Sequence, residues 1–127
     1  MGGNGEIPVL QLGDVLLVTI QTELHDRLAL RLQEALTERV HRTGARGVVI
    51  DISAVEIVDS FLARVLHDVA AATTALAART IVAGMRPEVA ITLTELGLPL
   101  RGLRTALDVD RAFRLLHEPG GGAPERA

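Results

Sequence analysis

The sequence predicts a single α/β domain on a mixed β-sheet, and three observations carry that expectation. Apolar runs of strand length alternate with segments of helical spacing along most of the chain. Gly13-Asp14, a dipeptide suited to a tight turn, separates the first two strand-like runs, so the sheet begins with an antiparallel hairpin. After the hairpin each strand is followed by a helix, the pattern of neighbouring strands joined by right-handed crossovers.

Taken in order, Ile7 to Leu12 and Val15 to Ile20 read as the two hairpin strands. Leu24, Leu28, Leu32, Leu36 and Val40 then recur every four residues, with Arg27, Arg31, Glu34 and Glu38 between them and Thr43-Gly44 as a stop. That spacing predicts an amphipathic helix whose charged side is solvated. Val48-Val49-Ile50 is continuous and β-branched, as a central strand covered on both faces should be. A second helix is expected from Ser60 to Leu76, with Leu62, Val65, Leu66, Val69, Thr73 and Leu76 on the apolar face and Arg64, His67, Asp68 and Ala71 opposite. Thr80 to Ala83 reads as a strand ended by Gly84. Pro87 opens a third helix, closed by Gly97 and Pro99. Leu103 to Ala106 adds an edge strand, and Asp108 caps a fourth helix with Val109, Ala112, Phe113 and Leu116 as its apolar positions.

Composition narrows the function classes. With 127 residues, 48% of them hydrophobic, the chain suffices for one domain with its own core. Residues 7–117 are expected to form it, between a flexible start at 1–6 and a Gly- and Pro-rich disordered tail at 118–127. All 13 basic residues are arginines spread without a cluster, and the net charge is −3, which disfavours nucleic acid. Two phenylalanines and no Trp or Tyr leave no aromatic platform for unpaired bases. There is no cysteine for a disulfide, a thiolate metal site or a nucleophile. No apolar run reaches bilayer length and no secretory leader is visible, so a cytoplasmic protein without membrane contact is expected.

Most enzyme templates fail on these residues. A P-loop needs a lysine, which the chain lacks, and Gly120-Gly121-Gly122 lies in the tail rather than between a strand and a helix. Asp51, at a strand end, has neither the acidic pair nor the lysine of a receiver-domain phosphoacceptor. Ser60 and His67 lie seven helical residues apart, a rise of about 10 Å, where a nucleophile and its base need about 3 Å. His25, His41 and His117 stand singly at helix ends, without metal-ligand spacing. No metal or cofactor is expected.

What remains is Asp59-Ser60-Phe61 at a helix start. Either Asp59 or Ser60 suits the cap, and a hydroxyl there stands among unpaired N–H groups that also favour a phosphate. The segment VVIDISAVEIVDSF, followed by ARTIVAGMRPEVAITLTELGL and preceded by IQTELHD, resembles the STAS domain of bacterial anti-sigma factor antagonists. More narrowly, it resembles the small scaffold proteins of the stressosome, over about Ile7 to Leu116.

That resemblance implies a non-enzymatic protein whose Ser60 is the target of a dedicated serine/threonine kinase, with Asp59 as its acidic neighbour. A second phosphoacceptor threonine of the larger scaffolds corresponds to Thr92 in RPEVAIT; by position alone Thr92 is a partly buried helix threonine. Asp59, Ser60, Phe61 and Arg64 would form part of a surface that sequesters the kinase switch protein until Ser60 is phosphorylated. With Ile7 already in the first strand, sensing is expected to come from a STAS paralogue that joins this minimal subunit in a large homo- or hetero-oligomer. Two alternatives stay open: a stand-alone anti-anti-sigma factor that binds an anti-sigma kinase directly, and a small α/β enzyme or ligand-binding domain with Asp51, Asp59 and Ser60 lining a pocket.

Overall fold

The computed structural model describes residues 7–21, 26–57, 59–95 and 103–118. The elements run β1 (Val9–Leu12), β2 (Val15–Thr19), α1 (Asp26–Thr43), β3 (Gly47–Asp51), α2 (Ser60–Ala75), β4 (Arg79–Ala83), α3 (Pro87–Glu95), β5 (Arg104–Ala106) and α4 (Val109–His117). Leu24, His25, Gly97, Pro99, the segment expected at 1–6 and all of the tail expected at 118–127 except Glu118 lie outside the described residues.

The five strands lie in the order β1-β2-β3-β4-β5. β1 pairs antiparallel with β2, Val9 opposite Val18 and Leu12 opposite Val15, while β2 to β5 pair in parallel. This is the mixed sheet with an initial hairpin that the sequence predicts. Because strand order advances in one direction, crossovers of one hand put their helices on one face. α1, α2 and α3 lie there: Leu32, Leu36, Leu66, Val69, Val89 and Leu93 join Leu16, Val18, Val48, Ile50 and Val82 in the main core.

The other face carries a smaller core of Val15, Val49, Ile81 and Ala83 beneath Ala112 and Leu116 of α4. Alternate residues of β3 therefore serve opposite cores, and Gly47 to Ile50 are all buried, as its unbroken apolar run requires. Gly47 makes the contact with α4 close: a Cβ there would meet Leu116 Cδ1 at 2.6 Å. α4 does not reach over β1, where Leu10 and Leu12 are 55% and 46% exposed.

The boundaries differ from expectation where backbone chemistry intervenes. β1 starts at Val9 because Pro8 has no N–H for a ladder. Leu76, expected on the apolar face of α2, is its C-cap and is 40% exposed. His67 is half-buried, not solvent-facing, and its Nε2 is buried with no hydrogen-bond partner among the described residues. Thr73 and Thr80 are buried polar side chains whose hydroxyls bond each other, Thr73 also bonding the Val69 carbonyl at 3.0 Å, so neither is left unpaired.

The hairpin turn is tied to the end of α4. Asp14 accepts from Arg46 N through its carbonyl at 2.8 Å, and its carboxylate meets His117 Nε2 at 3.1 Å and Arg46 Nη1 at 3.5 Å. Arg79 adds a bond from Nη2 to the Leu116 carbonyl at 3.0 Å. His117 is thus a fastened helix-end histidine, whereas His41 is exposed in the last turn of α1. The hydrogen bond from His117 is the chief cause that holds the Asp14 carboxyl below its ordinary value.

Two expectations follow from this packing. Leu66→Ala removes a side chain that is 1% exposed, so chemical denaturation should show a loss of about 2–5 kcal/mol. For Asp14 the folded pKa lies below the unfolded one, so the ionised carboxylate stabilises the fold above the unfolded value and that contribution is lost as pH falls through the folded one. Denaturation midpoints of the wild type and Asp14→Asn should therefore converge as the pH is lowered from about 6 to about 3.

Candidate functional site

The carboxyl end of the parallel strands gathers the β3–α2 loop, the β4–α3 turn and the β5–α4 junction, the end at which α/β sheets present their ligands and partners. The β3–α2 loop is the longest of the three. Its first half is pinned: Ile52 is fully buried and donates its N–H to the Ala83 carbonyl at 2.9 Å. Asp51 Oδ1 accepts from Ser53 N at 2.9 Å, and Val55 N closes a turn onto the Ile52 carbonyl at 2.9 Å. Beyond Val55 the chain comes to the surface, with Ile57 85% exposed and Glu56, Asp59 and Ser60 exposed as well.

Asp59, not Ser60, caps α2. It is extended (φ −117°, ψ 178°), its Oδ1 accepts from Leu62 N at 2.9 Å, and its carbonyl accepts from Ala63 N at 3.1 Å. The cap leaves Ser60 as the first helical residue, its hydroxyl exposed and bonded to no described residue. The N–H groups of Ser60 and Phe61 likewise find no acceptor among the described residues, as the first turn of a helix dictates. An exposed hydroxyl therefore stands beside free donors at the positive end of a 16-residue helix whose first turn holds no acidic residue.

The other expected site residues divide. Phe61 is half-buried and packs against the main core, which anchors the helix start, while Arg64 is exposed one turn beyond Ser60. Thr92 lies on α3, half-buried, its Oγ1 donating to the Glu88 carbonyl at 2.9 Å. Asp51 is turned into its own loop through Ser53, and the grooves between β1 and α1 and between α3, β5 and α4 take in none of Asp51, Asp59 and Ser60. Among the described residues no group of three His, Cys, Asp or Glu residues has the placement to hold a metal ion, and no helix is long and apolar enough to cross a membrane.

One neighbour of the loop lies within the RPEVAIT segment but has no role assigned by any sequence pattern. Arg86, in the β4–α3 turn, donates from Nε to the Ser53 carbonyl at 3.0 Å and stands 3.9 Å from Glu56 Oε2. The contact joins residues far apart in sequence, and only the adjacency of β3 and β4 signals it.

The STAS domain model matches residues 6–112, nearly the whole of the described fold. The chain belongs to the STAS family. It is 33% identical over 111 residues to the RsbT co-antagonist protein RsbRA of Bacillus subtilis, covering 79% of this chain and 39% of that protein. It thus spans about two fifths of that curated relative's length. Among solved structures, a serine-to-glutamate variant of Moorella thermoacetica RsbS is 38% identical with a TM-score of 0.77, covering 87% of this chain and 93% of that one. A chain of the stressosome, described as a signal integration and transduction hub, is 40% identical with a TM-score of 0.76, covering 86% and 95%. The chain is therefore a STAS-domain protein that resembles RsbS and a chain of the stressosome in sequence and in fold.

The cap can be tested without any partner. Asp59→Ala should cost about 1 kcal/mol in chemical denaturation and speed amide exchange at Leu62, whereas Asp59→Asn, which keeps the capping oxygen, should change stability little.

Proposed function

We propose that this chain is a non-enzymatic phosphoswitch and scaffold subunit of a cytoplasmic stressosome. It sequesters a serine/threonine kinase switch protein and releases it when Ser60 is phosphorylated. The observation that carries the reading is the state of Ser60, an exposed hydroxyl at the first position of α2 with free N–H groups beside it, delivered by a loop whose first half is pinned. Its likeness to RsbS and to a stressosome chain over nearly their whole lengths supports the scaffold role. The name of the longer relative, an RsbT co-antagonist, supports a partner of that type.

The mechanism is electrostatic and local. Phosphorylation adds about −1.5 to −2 charge next to the Asp59 carboxylate, creating an anionic patch at the mouth of α2. A docking surface that accepts the neutral hydroxyl then faces like charge or an unpaired phosphate, and the complex opens. The fold itself bears the modification at low cost, because the Ser60 and Phe61 N–H groups and the helix dipole both favour an anion there. Arg64 and Ile57 extend the proposed docking surface on either side of Ser60. Thr92 is a secondary acceptor, its hydroxyl already committed to the Glu88 carbonyl. A sensory STAS paralogue completes the assembly.

Incubation with such a kinase and ATP, followed by mass spectrometry, should show modification at Ser60 ahead of Thr92 and none at residue 60 in Ser60→Ala. Ser60→Asp should lower kinase retention more than about tenfold while leaving the circular dichroism spectrum unchanged. Equal binding by the wild type and Ser60→Asp would rule the switch out. Mixed with its sensory paralogue, the chain should elute as a megadalton particle; a small complex would point instead to a stand-alone anti-anti-sigma factor.

A further inference from the structure

We infer that Arg86 is a positioning residue for Ser60: the β4–α3 turn braces the β3–α2 loop through the Arg86 side chain and so sets the pose in which the hydroxyl meets its kinase. This rests on the reading of Ser60 as the phosphoacceptor. Three contacts build the brace. Ile52 N–H extends the ladder onto Ala83, which fixes where the loop leaves the sheet. Gly84, at φ +79°, lies so close to the loop that a Cβ would meet Ser53 Cβ at 2.8 Å, an approach open to glycine alone. Arg86 then reaches over it, Nε donating to the Ser53 carbonyl at 3.0 Å.

The chemistry of the pairing separates anchor from ornament. The Ser53 carbonyl receives a charge-assisted bond from a planar guanidinium, which holds direction as well as distance. The Glu56 carboxylate, at 3.9 Å and with its side chain 74% exposed, is a screened surface charge. From Ser53 to Asp59 the loop has few other ties among the described residues: the bond from Ser53 N to Asp51 Oδ1, the Val55 turn, the burial of Val55 and the cap. Without the Arg86 bond the exposed stretch ahead of Ser60 samples more conformations, and a partner that needs one of them binds more weakly by the fraction lost. Arg86 also opens α3, its carbonyl accepting from Ala90 N at 3.0 Å, so the helix that carries Thr92 and the loop that delivers Ser60 share one residue.

The experiment compares Arg86→Met, which keeps the side-chain stem but has no donor, and Glu56→Gln with the wild-type full chain, by amide hydrogen exchange without kinase and by steady-state phosphorylation of Ser60. Arg86→Met should speed exchange within residues 53–59 and raise the KM for the protein substrate about five- to tenfold with kcat held, while the melting temperature falls by no more than a few degrees. Glu56→Gln should leave both readouts at wild-type values. Exchange unchanged in Arg86→Met overturns the brace, even if KM rises, since a direct contact between Arg86 and the kinase would produce that pattern. Faster exchange with an unchanged KM overturns the positioning role. If the wild type is not phosphorylated on Ser60 at all, the switch reading fails on its own, and the exchange arm still decides whether Arg86 holds the loop.

Discussion

Burial of β3 on both faces is the constraint on which the rest of the structure depends. Val48 and Ile50 point into the core under α1 and α2, Val49 points into the core under α4, and all three are fully buried. A slip of one residue in its register would exchange the two sets of side chains between faces. That register also fixes where the strand ends: Asp51 pairs with Ala83, the chain turns out of the sheet, and the loop to α2 starts from a known height. Where Ser60 stands is thus decided by hydrophobic packing some ten residues upstream.

The loop then divides its work between two kinds of residue. Ile52 and Val55 are buried and hold the path, while Glu56, Ile57, Asp59 and Ser60 face outward and hold little. Asp59 is the exception among the exposed group, because it spends its carboxylate on the helix cap. Separating the cap from the free hydroxyl lets the two neighbours do different jobs: one side chain stabilises α2, and the next remains available. Had Ser60 been the cap, its oxygen would have been engaged with the backbone and any chemistry on it would have cost the helix its start.

Much of the fold was legible because its signals are local. The fourfold spacing from Leu28 to Val40 marks α1, Gly13-Asp14 marks the hairpin, and the unbroken Val48-Val49-Ile50 marks the strand that lies between two layers. The position of Ser60 at the head of α2 was legible too, but not which residue caps it, since Asp and Ser are near equals at that position. The side of α2 on which His67 lies was misread because helical spacing gives a face but not how widely neighbouring helices wrap it. What Arg86 bonds to was out of reach altogether. Its bond to Ser53 spans 33 residues and depends on two strands being neighbours, a fact that belongs to topology and not to any window of sequence.

The short reach of α4 has a further consequence for how the molecule behaves in company. β1 is an edge strand of sequence VLQL, without a charged residue, and its two leucines stand open on the face that α4 leaves bare. Edge strands are usually blunted by lysine, proline or an inward charge, because an unguarded row of N–H and C=O groups is a template for another strand. Here Pro8 guards the start of the strand, and Arg39 touches one carbonyl, that of Val9. The hairpin is consequently the part of this surface most prone to sheet extension when the chain is crowded, and charges placed on it would be expected to suppress that tendency without touching either core.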